Sequence, residues 1–547
     1  MKHLAIFDRW TTATLIIVGG WMLWAAGHYT VFDDEAFSCQ RYVLPMGEML
    51  RGLWHDVEPD PPLYYVLENL SIHQLGISPL GLRALSIIMF LAGLLFMRAT
   101  ATEAWGDRTG IATMVLCAVH PAHLFFGFAA RWYSTMFLAV AVLLYVSRRL
   151  MEIRTHHASG GRGVLHSGEP PRSADDSPIG ASRPRLAAWV LIPTRRWTIL
   201  WAMAAAAVLY TNYFGVVVVG MIWLAATWRS PDKRRFIAAG GIAALLFAPW
   251  LPPFWTQMTA FPKFSGSAGS MLATAARTTM ALLAGDLASP RAWWVWGPMA
   301  VIAVLLSALV IQHWQRVRLI TLVVAGCFFA GVVSRTMIDK YVMTFSGIAC
   351  MLVAAVLSRV GHMTHPTVST LRISAIAALT LAWLGCAYNL IAEKHWSSLR
   401  WLDPFEDAVA DAKRAGVPSE DWVVTHPSGK YYAARAFTRS AIGDSVINWM
   451  RLAMPEYRSK KDNYLRTPAR LLLEINKRSV PEVITLEAAG FSDSPEWDKL
   501  RHLLESDYRL EEEHHYLDDP DAAWKDRLDP EYHHPHWRIT VRHWRRK

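Results

Sequence analysis

Phe32-Asp33-Asp34-Glu35-Ala36-Phe37 places three consecutive carboxylates directly after the first long apolar run of the chain. Charge at a bilayer edge is costly unless it is used or paired, so a run of three acids there calls for a chemical reason. A second unusual string follows, Glu58-Pro59-Asp60-Pro61-Pro62-Leu63-Tyr64-Tyr65. Together the two strings point to an enzyme that works at the outer face of a membrane.

The rest of the composition sets that frame. Of 547 residues 53% are hydrophobic and 26 are Trp, too apolar for a soluble enzyme of ordinary shape. A helix needs about 20 apolar residues to span a bilayer. Candidate runs lie at 11–32, 79–99, 110–128, 132–150, 197–212, 213–229, 236–254, 293–312, 318–334, 340–359 and 371–391, about eleven spans, several of them short or broken by Gly and Pro. Arg148, Arg149, Arg154, Arg162, Arg172, Arg183, Arg185, Arg195 and Arg196 fall between the fourth and fifth runs. Arg229, Lys233, Arg234 and Arg235 follow the sixth, and Arg316 and Arg318 the eighth. With alternating spans these cluster on one side, which the positive-inside rule makes the cytoplasm. The first loop and the tail from about residue 392 then face outward. The net charge of +10 follows mostly from topology and asks for no nucleic acid. Met1-Lys2-His3 and the run behind it lack a small-residue cleavage site and read as a retained helix, not a signal peptide. Cys117, Cys327, Cys350 and Cys386 sit in apolar runs and leave Cys39 alone in the outer loop, so neither a disulfide framework nor a Cys-based metal site is available.

Three segments lie outside the bundle. Residues 151–185 are Gly-, Pro- and Ser-rich and read as a disordered cytoplasmic loop. Residues 33–78 form an acidic outer loop with helical spacing over 36–54 and 62–75. There Tyr42, Met46, Met49, Leu50 and Leu53 make one apolar stripe, Pro45 breaks it, and Pro62 suits a first helical turn. These read as short helices lying on the membrane surface. A low-Lys, low-Arg loop explains Glu48 and Glu68 as solvated charge, but not Asp33 to Glu35. From residue 392 a soluble α/β domain is expected. It has a helix between Asp403-Pro404 and Gly416, a strand at 421–425, a helix at 468–477, a strand at 481–486, a helix at 495–504 and a last strand at 536–543.

Asp34-Glu35-Ala36, then Asp60-Pro61-Pro62-Leu63-Tyr64-Tyr65, then Leu82-Arg83-Ala84-Leu85-Ser86 resemble the opening of the dolichyl-phosphate-mannose protein mannosyltransferase-like family. This is the family 39 branch of the GT-C membrane glycosyltransferases, which also holds the aminoarabinose transferase. The likeness continues through Pro121-Ala122-His123, Arg131-Trp132-Tyr133, Leu209-Tyr210-Thr211-Asn212-Tyr213-Phe214 and Lys340-Tyr341, covering most of residues 1–360. The resemblance implies transfer of a sugar from a polyprenyl-phosphate carrier, usually with inversion, to an acceptor outside the cytoplasm. It makes Asp34 the general base, with Asp33 a rival and Glu35 orienting the acceptor or binding a cation. The sequence departs from the pattern at Asp60, where many relatives have His, and at Ala129, where many have Glu. Oxygen ligands such as Asp34, Glu58 or Asp60 would suit magnesium or manganese better than zinc, although no metal is assigned.

A departing phosphate needs cations facing it. Arg83, Arg131, Arg277, Arg335 and Lys340 stand at or near outward span ends. Arg131 and Lys340 match family motif positions and rank first as donor-phosphate ligands, with Arg83 after them. Interfacial snorkelling accounts equally well for Arg277 and Arg335. Asp60, Tyr64, Tyr65 and Tyr133 are expected to line the substrate pocket. His120 and His123 suit bundle-facing hydrogen bonds better than ligand roles, and the tail histidines fit no regular metal spacing. Trp54 is a candidate for stacking on a sugar.

The expected protein is therefore an all-α polytopic membrane bundle over residues 1–391 with a C-terminal soluble α/β domain over 392–547. Its expected work is glycosyl transfer to a lipid, polysaccharide (glycan) or protein hydroxyl, in a bacterial-type inner membrane. A transporter or lipid flippase would instead carry charges near span centres and show two related halves. A non-catalytic scaffold or receptor would work through its tail.

Overall fold

The computed structural model describes residues 8–55, 61–152, 194–260, 271–284, 293–334, 339–358, 366–391, 405–418, 422–424, 432, 480–488, 501–502, 504–516 and 539–547. The chain is mostly helical, with a small C-terminal sheet. In order, α1 spans Arg9–His28, α2 Asp33–Tyr42, α3 Met46–His55, α4 Pro62–Leu75, α5 Pro79–Trp105, α6 Asp107–Val119, α7 Pro121–Phe126 and α8 Tyr133–Glu152. Among the described residues, five helical segments are long and apolar enough to cross a membrane: Arg9–His28, Pro79–Trp105, Tyr133–Met151, Lys233–Thr259 and Trp314–Val333. This is an integral membrane protein. Further apolar runs fall on the helices Trp293–Gln312 and Pro366–Ile391 and on the shorter Asp107–Val119, Thr194–Leu209, Gly215–Arg229 and Ser346–Leu357, with breaks at Pro121 and at the 3-10 turn Asp339–Thr344.

Local sequence explains the boundaries around the acidic segment. Asp8 caps α1 by accepting the Thr11 N–H at 2.8 Å. The helix ends at His28, earlier than the apolar run, because Tyr29 turns extended. Pro45 separates α2 from α3, and Pro62 opens α4, as the sequence predicts. Tyr42, Met49 and Leu53 of the expected stripe are buried. Gly76, at φ 80°, closes α4 in a conformation that only glycine adopts cheaply. The chain then enters α5 through the Ser78 cap.

Helix α5 is the central post, packed against α1, α4, α6 and α8. At Gly93 a Cβ would stand 2.5 Å from the Phe137 ring, so glycine there lets α5 and α8 come close. At the far end of α5, the Arg98 guanidinium holds Asp8 at 2.7 Å and Asp107 at 3.1 Å, joining α1, α5 and α6.

In the C-terminal part a helix spans Phe405–Arg414, and four strands follow: β1 Trp422–Val424, β2 Glu482–Ala488, β3 Tyr508–Tyr516 and β4 Ile539–Arg546. The sheet order is β1-β2-β4-β3, with β1 parallel to β2 and the other pairs antiparallel. Strand β3 is absent from the sequence reading. Its residues are exposed from Arg509 to His515, so no alternation marks it. The expected 468–477 helix lies outside the described residues, as does the 151–185 loop beyond the end of α8.

Candidate active site

The acids enter the structure at the start of α2. Glu35, the third residue of that helix, reaches back to accept the Phe32 N–H at 3.2 Å, half of a capping box. Its carboxylate also accepts the Ala130 N–H at 2.6 Å. The Arg83 guanidinium completes the arrangement, donating from Nε to Oε1 at 2.9 Å and from Nη2 to Oε2 at 2.5 Å. The other Arg83 N–H groups go to the carbonyls of Ala26, Tyr29 and Thr30, at 2.9, 2.7 and 2.8 Å. Both side chains have 0% exposure. All five Arg83 donors are thus committed to protein acceptors. This corrects two expectations. Arg83 fixes the turn between α1 and α2 and offers no donor to a phosphate. Glu35 is held inside the protein, where it can neither orient an acceptor nor coordinate a cation.

Asp34 is different. It is the neighbour of Glu35 on α2 but remains partly exposed, and its Oδ2 accepts the Tyr133 hydroxyl at 3.3 Å. Two residues before Tyr133, Arg131 donates from Nη1 to the Ser38 hydroxyl, one turn along α2 from Asp34. Tyr42, at the end of α2, donates to the Ala130 carbonyl at 3.2 Å. Thus Glu35, Ser38 and Tyr42 all grip the 129–132 turn between α7 and α8. The Asp-Glu and Arg-Trp-Tyr motifs, far apart in sequence, meet at one end of the bundle. Trp132 packs against Tyr341 at 5.5 Å between ring centroids, which brings the Lys340 backbone to the same end. The side chains of Asp33 and Lys340, and the whole of Asp60, lie outside the described residues.

Tyr64 and Tyr65, expected in the substrate pocket, are 1% and 2% exposed and pack against α2. The Tyr64 hydroxyl donates to Glu68 at 3.3 Å and lies 3.1 Å from the Ser86 hydroxyl, while Tyr65 packs against Tyr42. Glu68 itself overturns the reading of a solvated acid, for it has 0% exposure. Burial pushes its carboxyl well above the usual carboxylate range, the Tyr64 hydrogen bond opposes this, and the nearby Glu35 charge adds to it. Burial likewise raises the Tyr64 hydroxyl and the Cys39 thiol. The signal for Glu68 was the α4 pattern Tyr64, Glu68 and Ile72, three buried residues at i, i+4 and i+8 on one face.

His120 hydrogen-bonds the Leu282 carbonyl at 2.7 Å. His123 bonds the Cys117 carbonyl and the Ser346 hydroxyl, both at 2.6 Å, as expected for bundle-facing histidines. Trp54 is 40% exposed and packs edge-on against Trp250 at 5.4 Å. Among the described residues, no group of three His, Cys, Asp or Glu side chains is placed to hold a metal ion.

No family model and no curated protein matches the sequence. Solved structures do match. ArnT from Cupriavidus metallidurans in the apo state aligns at TM-score 0.54 and 12% identity, over 97% of this chain and 97% of that one. The same protein bound to undecaprenyl phosphate aligns at TM-score 0.51 and 12% identity, over 97% and 98%. ArnT is a GT-C glycosyltransferase. The chain has the GT-C fold. The oligosaccharyltransferase AglB from Archaeoglobus fulgidus, another GT-C protein, matches at TM-score 0.48 and 10% identity, over 94% of this chain and 73% of that one. Within the GT-C fold of the present chain, the first-loop acids and the Arg131-Trp132-Tyr133 turn occupy one end of the bundle, and the arginine-bearing ends of α8 and of the helix Gly215–Arg229 occupy the other.

Proposed function

We propose that the protein is a glycosyltransferase that moves one sugar from a polyprenyl-phosphate donor to a hydroxyl of a lipid, polysaccharide or protein acceptor, with inversion. The observation that carries the reading is the division of labour between adjacent acids. Glu35 is locked to Arg83, whereas Asp34 is partly exposed beside Tyr133, with Arg131 a turn away. The solved complex of ArnT with undecaprenyl phosphate supports the choice of a polyprenyl carrier.

A hydroxyl is a weak nucleophile near neutral pH, and a carboxylate beside it removes the proton as bonding develops. In the proposed step the acceptor oxygen attacks the anomeric carbon from the face opposite the phosphate. The bond between that carbon and the phosphate oxygen breaks, and the bonding pair leaves on polyprenyl phosphate. The acceptor proton ends on Asp34. Arg131, as a planar fork, and Lys340, as a point charge, are assigned to the charge growing on the phosphate. A single displacement inverts the anomeric configuration.

The same reading makes residues 1–391 the catalytic membrane part and 392–547 an extracytoplasmic domain. The arginine-rich ends lie in the cytoplasm of a bacterial-type inner membrane, and the acid site on the opposite side. The test is transfer by purified protein in lipid, given a polyprenyl-phosphate sugar and an acceptor extract. With Asp33→Asn and Asp34→Asn together, transfer is lost while carrier binding persists. Transfer at the native rate by that variant overturns the proposal. Mass spectrometry of envelope lipids and glycans with and without the gene would identify the sugar and the acceptor.

A further inference from the structure

At the opposite end of α5 from the acids lies an open cavity of about 190 Å³. From Arg83 to Thr100, on its wall, α5 rises about 25 Å at about 1.5 Å per residue. Three guanidinium side chains from three different helices converge on this cavity. They are Arg148 near the end of α8, Arg229 closing the helix Gly215–Arg229, and Arg316 opening the helix Trp314–Ser334. No Asp or Glu is among the described residues that line it. Glu103 pairs with Arg149 and accepts one Arg148 Nη2–H on its carbonyl at 3.4 Å, and Asp232 pairs with Arg235 at 2.6 Å. Deeper in, the walls are hydrocarbon from Leu144, Ile222, Ile320, Val323 and Met351.

A cationic mouth over an apolar slot is the complement of a molecule with an anionic head and a hydrocarbon tail. Snorkelling alone would point each arginine outward along its own helix, without gathering three around one cavity. Guanidinium forks match phosphate oxygens in pairs. We propose that this cavity binds an anionic phospholipid of the surrounding membrane. Its phosphate is held by Arg148, Arg229 and Arg316, and one acyl chain lies along Ile320 and Val323. The site is separate from the acid site and independent of the transfer reaction.

The experiment is native mass spectrometry of the purified full chain titrated with phosphatidylglycerol, phosphatidylcholine, polyprenyl phosphate or inorganic phosphate. Phosphatidylglycerol is expected to remain bound where phosphatidylcholine dissociates. The double variant Arg229→Gln, Arg316→Gln should bind it roughly tenfold more weakly or worse. Equal retention of both phospholipids overturns the proposal, and so does unchanged binding by the variant. Displacement of phosphatidylglycerol by inorganic phosphate alone overturns the role of the apolar slot. Displacement by polyprenyl phosphate at equal concentration overturns the assignment to a bulk membrane lipid. Should the variant fail to fold, the unaltered protein decides: its melting temperature must rise in phosphatidylglycerol vesicles relative to phosphatidylcholine vesicles, and an equal value in both refutes the site.

Discussion

Arg83 and Glu35 form a doubly bonded fork in which every guanidinium N–H has a protein acceptor, both side chains being shut off from solvent. The pair joins α5 to α2, and the same guanidinium holds the carbonyls of Ala26 in the last turn of α1 and of Tyr29 and Thr30 just after it. Removing one partner of a buried ion pair leaves the other charge stranded, which costs about 3–5 kcal/mol. Glu35→Gln should therefore lower the melting temperature of the detergent-solubilised protein sharply. Arg83→Lys should do the same, since an ammonium supplies three donors where five acceptors wait. An unchanged melting temperature in either variant would contradict the structural role assigned to the pair.

Tyr133 donates to the carboxylate oxygen of Asp34 from a fully buried position. The hydroxyl restrains the side chain proposed as the base, and a hydrogen bond to a charged group is worth about 1.5–3 kcal/mol. Tyr133→Phe keeps the ring and its packing on Trp132 and Phe126. It is expected to lower kcat about 10- to 100-fold, with the donor KM little changed. A variant that alters KM alone would assign Tyr133 to donor binding instead.

The helical bundle was legible in the sequence, because apolar periodicity survives without coordinates, whereas the Tyr133 hydrogen bond to Asp34 joins two motifs 99 residues apart that no local pattern pairs. Arg83 was misread for a physical reason. An arginine near the start of an apolar helix looks the same whether it faces a lipid phosphate or a buried carboxylate, and its Glu35 partner lies 48 residues away. Glu68 was misread because an outer loop rich in acids invites a solvated reading, although its i−4 and i+4 neighbours, Tyr64 and Ile72, are both buried. Strand β3 escaped because only its first residue is buried and its acids and histidines carry no alternation.

Glu68 makes stability depend on pH in a direction opposite to a salt-bridged acid. Burial raises its carboxyl well above the normal range, and among the described residues its Oε1 has no hydrogen-bond partner. The folded protein therefore keeps a proton that the unfolded chain releases above about pH 4.3. With more protons bound in the native state, stability falls as pH rises from that value toward the folded-state pKa. Glu68→Gln removes the titration, so its melting temperature should decline less than that of the unaltered protein over this interval. Parallel curves for the two proteins would show that Glu68 titrates normally.

Tyr432 reaches back across 401 residues of sequence, its hydroxyl accepting the Val31 N–H at 2.9 Å in a buried setting. Val31 lies just before α2, so a C-terminal side chain satisfies a backbone donor of the segment that carries the acids. An orphaned buried donor costs about 1–3 kcal/mol, and here the cost falls on the strand of chain between α1 and Asp33. Tyr432→Phe should therefore speed hydrogen exchange at residues 29–36 while leaving exchange in the middle of α5 unaltered, and transfer should fall with it. If exchange at 29–36 stays at the native rate, the C-terminal region does not hold the acidic segment in place. A loss of transfer without faster exchange would instead assign the Tyr432 hydroxyl a direct role toward substrate.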